Sequence, residues 1–277
     1  MHAWRLDQML VLLAISLFVG AAMGLVMPRG PVTSGDALMM MAASLAAGLG
    51  LGFLLRTRWV YLLGPLLSIV AFEIVRLGET GPTVDGLHLG TTFGILAFLT
   101  GRVIGYVLTF LPMATGMLLG RSIVRWRTRW EGWSSISKSV RVTGLAIPVI
   151  VVAALAFWIA QPASAPAVTG VDGNPAPNGV AELAAVNIGG VDQWIEIRGG
   201  DEDLPVLLYL SGGPGQSDLA LSRALLDELT ADFLLVGWDQ RGTGKSYSSF
   251  DSDVISPDVA VADTIELTNY LRERFDE

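Results

Sequence analysis

Residues 211–217, Ser-Gly-Gly-Pro-Gly-Gln-Ser, are the segment of this 277-residue chain whose composition most clearly suggests chemistry. They follow the apolar run Val206–Leu210, which predicts a β-strand, and they precede leucines at helical spacing. Because glycine has no Cβ, backbone N–H groups in such a turn can approach a ligand closely. They could bind a phosphate or the oxyanion that forms in acyl transfer. A tight strand-to-helix turn without a ligand explains the glycines equally well.

A second motif lies one predicted helix and one predicted strand further along the chain. Residues 239–246 read Asp-Gln-Arg-Gly-Thr-Gly-Lys-Ser and follow the apolar run Phe233–Val236. The two motifs resemble those of α/β-hydrolases and, within that fold, of the prolyl aminopeptidase-like (proline iminopeptidase) serine peptidases. That family carries an HGGPG loop after one central strand and a DQRGxGxS segment after the next. The resemblance covers residues 183–277 and implies an incomplete α/β-hydrolase domain that acts on an amide or ester.

The resemblance implies a role for each residue of the first motif. Gly213 would be catalytic because its backbone N–H would bind the oxyanion, and Gly212 would form the turn of this oxyanion loop. Pro214 and Gly215 would belong to the binding site. Ser211 stands where the family has a histidine, a residue that organises the loop and is not the catalytic base.

The second motif is expected to support the site, with Asp239, Arg241 and Gly242 holding its loop beneath the oxyanion loop. The family's nucleophile lies on a G-x-S-x-G elbow after the next strand, and its acid and histidine follow later. This chain has no such elbow, and its two histidines, His2 and His88, both precede the hydrolase-like residues. We therefore expect the chain to be inactive alone and to be the N-terminal part of a longer hydrolase.

Two other functions stay open. Residues 242–246 suggest a nucleotide-binding phosphate loop, but that pattern needs glycine at the position of Asp239, and no helical pattern follows. The chain could also be an inactive membrane protein whose partial hydrolase domain binds a partner or ligand. No cofactor or metal is implied, and the absence of cysteine excludes a thiol nucleophile and cysteine-ligated zinc.

The elements that must position these motifs can be predicted from the pattern of residues 183–277. Gly189-Gly190 between two short β-like runs, Leu183–Ile188 and Val191–Arg198, predicts a hairpin. The continuous apolar run before the first motif is typical of a strand buried on both faces. Ser256-Pro257 predicts a helix start, and strand–helix alternation indicates a parallel sheet. The apolar face of that helix would comprise Val261, Ile265, Thr268, Leu271 and Phe275.

The first 160 residues predict an all-α transmembrane bundle. The chain is 52% hydrophobic and 16% charged, which is too apolar for an ordinary soluble protein. Stretches of this half are long enough to cross a bilayer, so that the bilayer itself is an expected partner. We predict about five spans, with four plus an interfacial segment as the alternative, at approximately Gln8–Met27, Ala37–Leu55, Trp59–Leu77, within Thr91–Gly120, and Thr143–Ala160.

Charge divides the chain and orients it. Residues 1–160 hold 12 basic and 6 acidic residues, whereas residues 161–277 hold 6 basic and 20 acidic residues, which argues against a nucleic-acid partner. Basic residues concentrate in alternate loops, so the positive-inside rule places the N-terminus in the cytoplasm of a multi-pass cell-membrane protein. Five spans would put the hydrolase domain on the extracytoplasmic side, and four would put it inside.

The predicted organisation is a transmembrane domain at residues 1–160, an Ala/Pro/Gly-rich linker at 161–182 and the hydrolase part at 183–277. The substrate of the complete protein would be a small peptide or ester, and the oligomeric state stays open. Glu73 and Arg102 lie within apolar stretches, where charges indicate either a polar path or side chains that reach the membrane surface.

Overall fold

The computed structural model describes residues 6–26, 32–55, 59–77, 90–128, 135–170, 173–212, 217–251 and 253–276. The chain divides into two compact units, Met1–Gln161 and Pro162–Glu277. Each unit has hydrophobic clusters of its own.

The first unit is helical throughout its described elements. Helix α2 begins with a capping box, in which Thr33 Oγ1 accepts the Asp36 N–H at 3.2 Å and the Asp36 carboxylate accepts the Thr33 N–H at 3.1 Å. Helix α4 is continuous for 37 residues and includes Pro112. The helices are α1 (Leu6–Val26), α2 (Ser34–Leu54), α3 (Val60–Arg76), α4 (Thr92–Thr128) and α5 (Ser135–Ala160).

Four helical segments among the described residues are long and apolar enough to cross a membrane: Leu6–Val26, Ser34–Leu54, Arg102–Val124 and Val142–Ala160. Helix α3, at the third predicted span, does not reach that length. Its 17 residues rise about 26 Å, which is less than the ~30 Å of a typical hydrocarbon core. Among the described residues the candidate spans by length and composition are therefore four, which matches the alternative of four spans plus a further segment rather than five full-length spans.

Helices α2 and α4 approach each other through glycines. Gly48 and Gly52 of α2 face the backbone of Met113 and Met117 of α4 so closely that a Cβ would collide with the carbonyl groups. Gly116 and Gly120 of α4 likewise face the backbone of α2. Without a hydrophobic driving force between helices in lipid, close backbone approach supplies the van der Waals contact.

Glu73 and Arg102, the two charges noted in the sequence, form an ion pair between α3 and α4. Arg102 Nε lies 3.3 Å from Glu73 Oε1, and the Tyr106 hydroxyl donates to the same oxygen at 3.0 Å. Each charge thus has a partner inside the helical unit, which favours a structural role over a polar path.

The second unit contains a small mixed sheet with strand order β1-β2-β4-β3. β1 and β2 form the predicted hairpin, and Gly189 and Gly190 at its turn have φ values of 59° and 76°, which favour glycine. β2 pairs antiparallel with β4, and β3 pairs parallel with β4. The elements are β1 (Val180–Ile188), β2 (Val191–Gly199), β3 (Val206–Tyr209), α6 (Leu219–Leu225), β4 (Leu234–Asp239) and α7 (Pro257–Phe275).

Helix α7 starts as predicted and buries only part of the predicted apolar face. Ser256 Oγ accepts the Val259 N–H at 3.3 Å, and Pro257 occupies the first turn. Leu271, expected on the apolar face, is buried, and Phe275 of the same face packs against the core. Val261 and Ile265 are instead 59% and 56% exposed, and Asp263 and Leu267 are buried in their place. The buried face of α7 differs from the predicted one because the buried carboxylate of Asp263 is hydrogen-bonded to Arg241 and Gln193, which belong to other parts of the second unit.

Strand β3 also differs from its prediction. It ends at Tyr209 with its residues only half-buried, and Leu210 is 48% exposed. Among the described residues β3 has a strand neighbour on one side alone, so it lies at the edge of the described sheet and not at its centre. The helix expected to follow is short as well, since α6 ends at Leu225 and a 3₁₀ segment takes its place from Asp227.

Candidate functional site

The two motifs meet because their strands are parallel neighbours. β3 and β4 are paired from Val206 with Leu234 to Tyr209 with Gly237. Both strands therefore end at the same edge of the sheet, which is where ligands bind in open α/β sheets. The first motif continues from β3 and the second from β4.

The first loop is described at its two ends. Gly213, Pro214 and Gly215, three of the predicted site residues, lie outside the described residues. Ser211 donates its hydroxyl to Asp218 Oδ2 at 2.6 Å. The Tyr209 hydroxyl donates to the same oxygen at 3.3 Å.

Gly212 is the predicted loop residue whose surroundings can be described. It is not among the residues with positive φ, and no atom of the described part of the chain lies within 4 Å of the place where a Cβ would stand. The backbone itself therefore does not demand glycine there. The open space is compatible with a position that an incoming group approaches.

The second loop folds back onto the end of β4. Asp239 is fully buried, and its Oδ2 accepts the Lys245 N–H at 2.7 Å. The Asp239 backbone oxygen accepts the Ser246 hydroxyl at 2.6 Å, and Ser246 Oγ in turn accepts the Trp194 N–H from β2 at 2.7 Å. These bonds hold the loop against the sheet edge.

Gly244 makes this fold possible, although the sequence analysis did not single it out. Its φ is 46°, and a Cβ would collide with Asp239 Oδ2 and lie 2.6 Å from Ser217 Cβ. The second glycine of the Gly-Thr-Gly pattern is the feature of the sequence that could have predicted this role. Glycine is favoured where φ is positive and where other atoms approach the backbone closely.

The two loops touch through Ser217 and Asp239. The Ser217 hydroxyl is hydrogen-bonded to the Asp239 carboxylate, and both residues border Gly244. Burial raises the pKa of Asp239 above its ordinary value, while the hydrogen bonds from Ser217 and the Lys245 N–H oppose that shift. A buried carboxylate therefore connects the last residue of the first loop to the second loop.

Arg241 and Gly242 lie behind the site. Arg241 donates Nε and Nη2 to the two carboxylate oxygens of Asp263, each at 3.0 Å, and Nη2 also donates to the Gly189 carbonyl at 3.0 Å. Gly242 has φ 74° and donates its N–H to Ser249 Oγ at 3.1 Å. The arginine thus joins the second loop to the β1–β2 hairpin and to α7.

Asp263 extends this network into the core, and sequence reasoning missed it. Gln193 Nε2 donates to Asp263 Oδ2 at 2.8 Å, and Trp238 Nε1 donates to Gln193 Oε1 at 3.1 Å. The sequence does offer one signal, an aspartate in the middle of an amphipathic helix. If such a carboxylate is buried, it requires hydrogen-bond partners from other elements.

The structure lacks the helix that a phosphate loop would require. Residues Gly244–Ser249 form a 3₁₀ segment rather than an α-helix, and the Lys245 ammonium lies 4.3 Å from the centre of the Trp194 ring. Among the described residues there is also no group of three or more His, Cys, Asp or Glu that could hold a metal ion.

Comparison with known proteins gives a partial relative. No protein-family model and no solved structure matches the chain. A stretch of 102 residues, 36% of this chain, is 35% identical to Probable aminopeptidase YbaC of Bacillus subtilis (strain 168). The matched stretch is 32% of that protein's length. Part of this chain is therefore similar to part of a protein named as a peptidase.

Proposed function

We propose that the second unit is the oxyanion-loop part of a membrane-anchored serine hydrolase of the α/β-hydrolase type. The observation that carries the proposal is the contact between two loops at the shared end of the parallel strands β3 and β4, through Ser217 and Asp239. In α/β-hydrolases the loop that follows the third strand donates a backbone N–H to the oxyanion. Here the glycine-rich loop follows β3 and leads into α6.

The proposal gives the loop residues chemical roles. The Gly213 N–H binds the oxyanion, Gly212 forms the turn, and Pro214 and Gly215 border the substrate. A backbone donor aimed at the developing negative charge is worth about 10²- to 10³-fold in kcat. Asp239, Arg241 and Gly242 support the loop from behind.

The reaction class is hydrolysis of an amide or ester by acyl transfer, with a small peptide as the first substrate to test. Support for a peptidase comes from the partial relative, which is named as an aminopeptidase. The sequence contains no G-x-S-x-G elbow, and no histidine follows His88. The proposal therefore assigns the oxyanion contact to these residues and assigns to them no nucleophile, acid or base.

Membrane anchoring is supported by the four apolar helical segments of the first unit. The Ala/Pro/Gly-rich segment between them and β1 lies in the second unit, where the Pro166 carbonyl accepts the Arg198 Nε–H at 3.3 Å.

The test is labelling of the native protein, captured from its own membranes with an antibody to residues 183–277, by a fluorophosphonate probe for activated serines. We expect labelling of a serine other than those given a role here. Replacing Gly213 with proline removes the proposed donor and should slow labelling by about 10²- to 10³-fold. Ser248→Ala, at an exposed position, is the control and should leave the rate unchanged.

Absence of labelling in a captured, folded protein would contradict the enzyme proposal. It would favour the other function that the sequence leaves open, in which a catalytically inactive partial hydrolase domain binds a partner or ligand at the membrane.

A further inference from the structure

We infer that Arg198 couples two distant parts of the second unit. Its buried guanidinium joins the segment by which the chain enters this unit to the 3₁₀ segment Asp227–Ala231, so that loosening either segment loosens the other. This coupling goes beyond the proposed hydrolase function and is independent of it, since it involves neither the glycine-rich loop nor a nucleophile.

The entry segment, residues 162–179, is described at 162–170 and 173–179, and both parts make defined contacts. Val168 is 5% exposed, and its carbonyl accepts the Ala176 N–H at 2.9 Å. Further along the segment, Asn178 Nδ2 donates to Asp201 Oδ2 at 3.3 Å. The described parts of the entry segment are therefore bonded into the second unit despite their Ala/Pro/Gly-rich composition.

Arg198 of β2 contacts both the entry segment and the 3₁₀ segment. Its side chain is buried, and its Nε donates to the Pro166 carbonyl at 3.3 Å. In the same guanidinium, Nη1 lies 2.7 Å from Asp227 Oδ1. A guanidinium presents its five N–H donors in a fixed planar fork, so it can bind two acceptors at once in a set geometry. One buried cation thus has partners from two parts of the chain that are far apart in sequence.

The 3₁₀ segment is bonded to β2 at both of its ends. Thr230 is 3% exposed, and its carbonyl accepts at 2.7 Å the N–H of Gly200, the residue that follows β2. At the other end, the ion pair with Arg198 holds Asp227, whose side chain is 58% exposed. A change at Asp227 therefore acts on an accessible group at the start of the segment and leaves the bond at Thr230 in place.

The burial of Arg198 is what makes its two partners depend on each other. A buried charge requires partners, and removing one partner leaves a charge that is poorly compensated. If Asp227 withdraws, the guanidinium is drawn toward water and its Nε leaves the Pro166 carbonyl. If the entry segment leaves, water reaches Arg198 and screens its ion pair with Asp227. Coupling between two sites is reciprocal, so each loss should lower the stability of the other segment.

Glu196 offers a matched control, because residues two apart in a strand share one face of the sheet. Glu196 is 3% exposed, and its two carboxylate oxygens accept Arg223 Nε at 2.8 Å and Nη2 at 2.6 Å. This bidentate pair holds α6, whereas the ion pair of Arg198 holds the 3₁₀ segment that follows α6. Breaking the Glu196 pair disturbs the same face of the sheet and leaves the bonds of Arg198 in place.

The experiment is hydrogen exchange of the full chain in lipid nanodiscs, followed by mass spectrometry. Residues 173–180 report on the entry segment, residues 227–233 on the 3₁₀ segment, and residues 258–271 of α7 on the unit as a whole. We expect Asp227→Asn to lower protection of residues 227–233 about tenfold, the size of a hydrogen bond to a charged group. Protection of residues 173–180 should fall by about fivefold or more, the range of typical coupling between sites. Protection of α7 should change by less than about twofold.

Two further variants separate coupling from general loosening. Arg198→Lys keeps a positive charge for Asp227 but lacks the planar fork. It should lower protection of the entry segment by about fivefold and leave that of the 3₁₀ segment within about threefold of the unmodified chain. Glu196→Gln should lower protection of residues 219–226 in α6 about tenfold and change that of the entry segment by less than about twofold.

Reciprocity is measured from the entry segment. Val168→Ala removes buried methyl groups there and should lower protection of residues 227–233 by about fivefold. In a chain that already carries Arg198→Met, the same substitution should cause no further loss of that protection, because the coupling passes through the guanidinium.

The inference is wrong if Asp227→Asn leaves residues 173–180 as protected as in the unmodified chain, or if Glu196→Gln loosens them as much as Asp227→Asn does. A loss from Val168→Ala that persists alongside Arg198→Met would also overturn it, because the coupling would then bypass Arg198. All these outcomes are read from backbone amides, so they stand whether or not the fluorophosphonate probe labels the protein.

Discussion

Gly244 and Gly212 show how differently two glycines of the candidate site are constrained. At Gly244 the backbone has φ 46°, and a Cβ would meet both Asp239 and Ser217. At Gly212 φ is not positive, and no atom of the described residues lies within 4 Å of a Cβ position. The first glycine is therefore required by the fold. The described residues impose no such requirement on the second.

We expect Gly244→Ala to lower the free energy of unfolding of the second unit by about 1–3 kcal/mol, because it adds backbone strain and displaces the Asp239 carboxylate. Gly212→Ala is the matched control and should change it by less than about 0.5 kcal/mol. Hydrogen exchange of the β4 amides in the full chain measures both. An equal loss of unfolding free energy in the two variants would show that the close contact at Gly244 does not cause the destabilisation.

At the scale of elements, glycines determine how closely α2 and α4 can pack. Gly52 lies against the Met117 carbonyl, whereas Gly50 on the same helix has no atom within 4 Å of a Cβ position. The two glycines are two residues apart and so lie on different faces of the helix. Only on the face of α2 that contacts α4 does close packing require a residue without a side chain.

Gly52→Ala should destabilise the first unit by about 1–3 kcal/mol, because an added methyl group in a packed interface forces the helices apart. Gly50→Ala should be neutral or stabilising by up to about 1 kcal/mol, since alanine favours helix. Reversible unfolding in mixed detergent micelles, followed by helical circular dichroism, measures both variants. A comparable loss from Gly50→Ala would contradict the assigned interface.

For the whole molecule, the proposed membrane topology depends on whether α3 crosses the bilayer. Its 17 residues rise less than the ~30 Å of a typical hydrocarbon core but equal the shortest length, about 17 residues, found for membrane spans. Its centre nonetheless packs within the bundle, since Ser68 Oγ donates to the Ser16 carbonyl of α1 at 2.9 Å and Gly64 contacts Met117 of α4. A crossing α3 also keeps the basic segment at residues 121–141 in the cytoplasm, as the positive-inside rule requires.

We therefore predict that residues 121–141 are cytoplasmic and that the linker is extracytoplasmic. The chain contains no cysteine, so Ser134→Cys and Ser164→Cys each introduce a single thiol, one on either side of α5. A membrane-impermeant maleimide should label Ser164→Cys in intact cells and Ser134→Cys only after permeabilisation. The opposite pattern would mean that α3 does not cross and that the second unit is cytoplasmic.

Part of the candidate site could be predicted from the sequence because its motifs are contiguous. The positions of residues 211–217 and 239–246 after apolar runs placed both loops at strand ends, and the structure has strands there. The bond between Ser217 and Asp239 could not be predicted, since it depends on β3 and β4 being parallel neighbours. The role of Asp263 could not be predicted either, because its partners Arg241 and Gln193 come from other elements and only the tertiary structure shows that they are close.

The sequence by itself determined what neighbouring residues control: the hairpin at Gly189-Gly190, the start of α7 at Ser256 and the five helices of the first unit. Turn conformation, helix capping and apolar runs act over a few residues, so their signals can be read along the chain. Only the tertiary structure decided the strand order, the buried face of α7 and the contact between the two loops. These features depend on which distant groups become buried together. A buried carboxylate such as Asp263 must then find its partners wherever the fold places them, even if the apolar side chains Val261 and Ile265 are left exposed.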